Sequence, residues 1–205
     1  MSHNFRPAAK RGKLPPALFL SVLIAHPALA HTGTDVAGGL VSGFLHPMAG
    51  ADHLVAMVAV GLWGSQLGNP AIWILPIAFP LVMAFGGLLG IAGVALPVPE
   101  LMIALSAVGL GAMVALRARV PLGAAMALVS VFAIFHGYAH GVELPAAANP
   151  MAYGVGFVVA TGSLHLLGIL IGTLQRLVWG GIAVRGLGAG IAVLGGFFLI
   201  AGGPG

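Results

Sequence analysis

The sequence predicts an all-α, polytopic membrane protein: six transmembrane helices in a glycine-rich bundle, with both ends of the mature chain outside the cytoplasm. Three observations predict it. Hydrophobic residues make up 60% of the 205-residue chain and charged residues 6%, with a mean hydropathy of +1.10, more apolar surface than one soluble core of this size can hide. Apolar runs of spanning length recur, separated by Pro, Asn, Glu or Arg. Thirty-three glycines supply the small surfaces that let helices approach closely in lipid, with Gly86/Gly90, Gly168/Gly172 and Gly186/Gly190 at four-residue spacing.

The first element, residues 1–30, reads as a cleavable secretory signal. It has a basic stretch to Lys13, an apolar stretch from Leu14 to Ile24, and Ala28-Leu29-Ala30 before His31. Its apolar run is short for a spanning helix, and His26 and Pro27 interrupt it. Cleavage after Ala30 leaves residues 31–205 as a single transmembrane domain. The new terminus is His31, whose free amine and imidazole suit metal chelation. Asp35 follows, either as a surface carboxylate or as an attractor for incoming cations.

The six spans fall at 51–67, 71–96, 100–116, 121–143, 151–174 and 186–202. The stretch from Val36 to Leu67 would be about 48 Å long as one helix, too long for a straight crossing. Pro47 and Gly50 therefore divide it into a short lead-in helix and the first span. The connections are too short to hold a soluble domain.

Charge gives orientation independently. A mature N-terminus outside places the 117–120 and 175–185 connections inside, and these carry Arg117, Arg119, Arg176 and Arg185, every basic residue after the signal. Asp35, Glu100 and Glu143 then lie at the outer face. The formal net charge of +4 comes largely from Arg6, Lys10, Arg11 and Lys13, so nucleic acid is not an expected partner. Cysteine is absent, which excludes disulfides, thiolate metal sites and thiol catalysis.

Two polar clusters interrupt this apolar chain. HPMAGADH, from His46 to His53, lies where the lead-in segment meets the outer end of the first span. Ionisable groups there cost about 2.5 to 3.5 kcal/mol each on insertion and need a partner or a watery cavity. Asp52 and His53 diverge by about 100 degrees on a regular helix, so the break is what allows His46, Asp52 and His53 to converge on one ion. FHGYAHGVE, from Phe135 to Glu143, puts His136, His140 and Glu143 on one helical face, with Gly137 and Gly141 leaving room for a packed neighbour. The bland alternative for it is a polar stripe along a water-filled vestibule or an interhelical hydrogen-bond network. His165, in the fifth span after Thr161, Gly162 and Ser163, is either a satisfied buried histidine or part of a permeation path. Met48 and Met57 offer thioether contacts, although membrane helices commonly use Met as filler.

Imidazole and carboxylate without thiolate suit Ni2+, Co2+, Zn2+ or Fe2+, and suit Cu(I) poorly. Mg2+ and Ca2+ want more oxygen ligands than these carboxylates supply. The residues alone lead to a divalent transition metal and no further.

His-Pro-x-x-Gly-x-Asp-His at 46–53, with Phe-His-Gly-x-Ala-His-Gly-x-Glu at 135–143, resembles the HupE/UreJ family of nickel permeases, accessory proteins of hydrogenase and urease. The first motif is also similar to the His-x4-Asp-His signature of the larger nickel/cobalt transporter family, with five residues here between His46 and Asp52. The resemblance implies His46, Asp52 and His53 as metal-binding residues and His136, His140 and Glu143 as the second motif. It implies uptake of Ni2+, or Co2+ in some members, from the periplasm across a bacterial inner membrane. The ion is then substrate, and no permanent cofactor is expected. The expected partners are the metal ion and the bilayer; a homo-oligomer and a cytoplasmic metallochaperone stay open.

A secondary permease is thus the leading expectation, because no G-x-x-x-x-G-K-[ST] is present to bind ATP. One rival is a b-type haem anchor, with two histidines on different helices as axial ligands. The other is an intramembrane metal-dependent enzyme, for which H-E-x-x-H and a nucleophile elbow are both missing.

Overall fold

The computed structural model describes residues 36–144 and 149–201, and these are helical with no strand among them. The proposed signal, His31 and Asp35 lie outside the described residues. Seven α-helices follow in order: α1 Val36–Ala49, α2 Ala51–Leu67, α3 Ala71–Ile91, α4 Pro99–Leu116, α5 Leu122–Val142, α6 Pro150–Thr173 and α7 Gly180–Ala201. Helices α3 to α7 are each long and apolar enough to cross a membrane. The α1–α2 pair, bent by 85°, adds a sixth crossing if counted as one broken span.

The division of the Val36–Leu67 stretch falls at Gly50 alone. Its backbone is extended (φ −89°, ψ 114°), and Pro47 stays inside the last turn of α1. Helix α2 is buried without interruption from Ala56 to Gly64, as expected for a helix apolar on every side. It packs against α3, α4, α6 and α7 and forms the centre of the bundle. Trp63, wholly buried, donates its indole N–H to the Ala118 carbonyl (2.9 Å), and Gln66 donates to Val114 O (3.1 Å).

Two expected boundaries move, each for a local reason. The second span stops at Ile91 rather than 96, where Gly93 turns the chain with a positive φ of 71°. The last helix begins at Gly180 rather than 186, so Arg185 is not in a connection. Its guanidinium Nε reaches the carbonyl of Ala115 (2.8 Å), one of the end-of-helix acceptors that α4 leaves free.

Glycine sets the closest helix contacts. A Cβ at Gly137 would collide with the backbone of Met83, and one at Gly141 with that of Gly87, so α5 lies directly against α3. Gly168 meets Val58 and Gly61 where α6 crosses α2, and Gly172 meets Ser65. Gly186 and Gly190, expected to pack, have open space around them. The buried face of α7 runs through Val184, Gly188, Ile191, Gly195 and Phe198, and positions 186 and 190 lie roughly 200° around from Gly188 and its repeats.

Candidate metal centre

The up-and-down course of the helices gathers both sequence clusters at one end of the bundle. His46 lies in the last turn of α1, Asp52 and His53 in the first turn of α2, and His136 and His140 in the last two turns of α5, with Glu143 as its C-cap. Arg117, Arg119 and Arg176 follow the opposite helix ends, with Arg185 near the start of α7.

Glu143 Oε2 accepts from His46 Nε2 at 3.2 Å. One donor atom each from His46, His140 and Glu143 lies within 4.8 Å of the others, the one such set of three among the described residues. The imidazoles then continue inward in contact. His140 is 4.8 Å from His46 and 4.5 Å from His53 between ring centres, and His53 is 4.8 Å from His136. The two ends of the line differ in exposure, Glu143 being half-exposed and His136 fully buried.

The pairing within this cluster differs from the sequence expectation that His46, Asp52 and His53 converge on one ion. His46 meets His140 and Glu143 instead. Asp52 is engaged by its neighbour: its Oδ1 accepts from the His53 backbone N–H (2.8 Å) and from His53 Nδ1 (2.9 Å). Adjacency in the first turn, where backbone N–H groups lack helical acceptors, permits this fold-back. Gly50 makes room for it, since a Cβ there would stand 3.0 Å from the Asp52 carboxylate and 3.2 Å from the His53 ring.

These hydrogen bonds fix which nitrogens are available. A carboxylate only accepts, so His53 carries its proton on Nδ1 and keeps a lone pair on Nε2. Ser106 Oγ donates to the Ile103 carbonyl (2.6 Å), so toward His136 it can only accept. His136 therefore donates from Nε2 (2.8 Å) and keeps its lone pair on Nδ1. Both free nitrogens are buried with no hydrogen-bond partner among the described residues, as are both nitrogens of His140. Imidazoles oriented by one nitrogen and open at the other are the arrangement of metal-ligating histidines.

Sequence reasoning missed several contributors. Ser106, which orients His136, is the one hydroxyl in α4. Tyr153 and Phe157 of α6 wall the cluster, with ring centres 5.8 Å from His46 and 4.3 Å from His140 respectively. Phe79 of α3 stands 5.6 Å from His136 on its inner side. His140 also lines an apolar groove of about 530 Å3 between α3, α5 and α6. Met57 is wholly buried in the core, and Met48 is partly buried. His165 is fully buried deeper in α6, with Nδ1 3.1 Å from the Pro76 carbonyl.

Comparison with known proteins agrees with the motifs. The family model described as HupE / UreJ protein matches residues 18–198. The chain is similar to Protein HupE of Rhizobium leguminosarum bv. viciae, 44% identical over 178 residues that cover 86% of this chain and 93% of that relative. No solved structure matches the chain.

Proposed function

The chain belongs to the HupE/UreJ family of membrane proteins, and from that premise we propose that it is a secondary permease importing a divalent transition-metal ion. Nickel is the proposed substrate, with cobalt second, supplied to metalloenzymes such as hydrogenase or urease. The observation that carries this reading is the file of imidazoles and carboxylates contributed by α1, α2 and α5, with lone pairs left open on His53, His136 and His140. Nitrogen and oxygen donors without sulfur suit Ni2+ and Co2+.

In this reading residues 1–30 are a signal removed after Ala30, and the mature chain sits in a bacterial inner membrane with both ends in the periplasm. The arginine-bearing helix ends face the cytoplasm, following the positive-inside rule. The cluster then faces the periplasm, with Glu143 and His46 as first contacts. Asp52 holds His53 in register, and His140 and His136 draw the ion inward. Membrane potential favours entry by about 2.3 kcal/mol per charge per 100 mV, roughly doubled for a dication. Ring centres only 4.5 to 4.8 Å apart leave no slot for a porphyrin between these histidines, which weighs against a haem anchor.

The test is uptake of radiolabelled Ni2+ into proteoliposomes holding the full chain. Replacement of His46, Asp52 or His53 by Ala abolishes uptake while membrane insertion is retained. Wild-type rates in all three variants would remove the proposed site.

A further inference from the structure

The outer cluster does not account for His165. Its ring is fully buried in α6, about 22 Å along that helix from Pro150. Helix α3 supplies the reason for one of its bonds. The carbonyl of Pro76 would ordinarily accept from the N–H four residues on, but that residue is Pro80, which has none. His165 Nδ1 fills the place, 3.1 Å from Pro76 O. A carbonyl only accepts, so the proton is on Nδ1 and Nε2 carries a lone pair.

Among the described residues that lone pair has no partner, and the atom is buried. Satisfying Pro76 needs a single donor and does not need a second, open nitrogen. Thr161, one turn earlier on the same face of α6, is also fully buried with an unpartnered hydroxyl. The Phe79 ring stands between His165 and the outer cluster, in ring-to-ring steps of 5.6 Å to His136 and 5.3 Å to His165. The crossing of α2 and α6 is tight here: a Cβ on Gly61 would collide with the carbonyl of His165 itself.

We propose that His165 Nε2 and Thr161 Oγ1 form an inner coordination station for the imported dication, beyond Phe79 from the periplasmic cluster. The proposal rests on the uptake reading above. It gives the ion a second, poorer set of donors roughly two-thirds of the way along α6, so an ion leaving the outer imidazoles is not stranded in hydrocarbon. Permeation needs such successive sites, each favourable enough to enter and weak enough to leave.

The test uses the full chain, in detergent for calorimetry and in proteoliposomes for flux, with Ni2+ alone as probe. His165→Asn keeps an amide donor where Nδ1 stands and deletes the Nε2 ligand. It is expected to lower Ni2+ flux about tenfold or more, with equilibrium affinity at the outer cluster and the thermal midpoint near wild type. Thr161→Val, of the same shape, is expected to lower flux by a smaller factor, again without loss of outer binding. Pro80→Ala returns an N–H to Pro76 and releases His165, which 15N NMR would register as mixed tautomers at that ring. Wild-type flux in His165→Asn overturns the inner station. So does loss of outer binding in parallel with flux, since the residue would then be a packing element only. Failure of the unaltered protein to accumulate Ni2+ would instead sink the uptake reading beneath it.

Discussion

Ser106→Ala tests the link between hydrogen bonding and ligand availability most directly. His136 and Ser106 are both fully buried, and their 2.8 Å bond is, among the described residues, the only one that orients the imidazole. Because the serine proton is committed to Ile103 O at 2.6 Å, alanine removes an acceptor and leaves the His136 Nε2–H without one. Stranding a buried donor costs about 1 to 3 kcal/mol. The ring can avoid that cost by moving its proton to Nδ1, but this closes the lone pair that faces His53 and the rest of the cluster. The second route makes metal binding restore the costlier tautomer, and is expected to weaken it by about 10- to 100-fold, at about 1.4 kcal/mol per factor of ten. The fold itself changes little, because alanine favours the helix slightly more than serine does. Calorimetric titration with Ni2+ gives the affinity, and 15N NMR of labelled imidazole gives the tautomer. An unchanged affinity together with an unchanged Nε2–H signal would refute the argument. Ser106→Thr, which keeps the hydroxyl, should recover most of the loss.

Other substitutions separate charge from packing. Glu143→Gln removes a half-exposed carboxylate from His46, and is expected to weaken Ni2+ capture by a few-fold, with the difference shrinking in high salt. Gly137→Ala drives a methyl into the Met83 backbone and must part α3 from α5. A destabilisation of about 1 to 3 kcal/mol, read as a lower thermal midpoint, should accompany reduced flux because His136 and His140 move with α5. Gly188→Ala should destabilise through contact with Val114 and Ala115, whereas Gly186→Ala, in open space, should be neutral or slightly stabilising in the same melt.

The helical architecture was legible because lipid imposes length and apolarity on every span, and both survive in composition alone. The break before α2 was legible from Pro47 and Gly50 together, although only Gly50 makes it and Pro47 stays helical; the gathering of 46–53 with 135–143 at one end followed from counting alternate crossings. The pairing inside the cluster was not. Whether Asp52 turns toward an ion or toward His53 depends on side-chain rotamers in one helical turn, which sequence spacing does not encode. The position of Arg185 is not legible from its charge, because a carbonyl at the end of α4 accepts its guanidinium and lets the arginine lie within a helix. Four-residue glycine spacing identified Gly86/Gly90 and Gly168/Gly172 but misled at Gly186/Gly190, since spacing fixes a stripe without saying which way the stripe faces. Pro76 and Pro80 were readable in principle: two prolines four apart leave a carbonyl in search of a donor.

The bend at Gly50 has an electrostatic corollary. It sets the carboxyl end of α1 beside the carboxyl end of α5, two partial negative poles of about half a charge each. The amino end of α2 brings an opposing positive pole, and Asp52 in its first turn counters it. The amino end of α6, where Tyr153 meets His46, brings a second positive pole, so the helix ends nearly balance and it is the carboxylates of Asp52 and Glu143 that tilt the mouth toward cations.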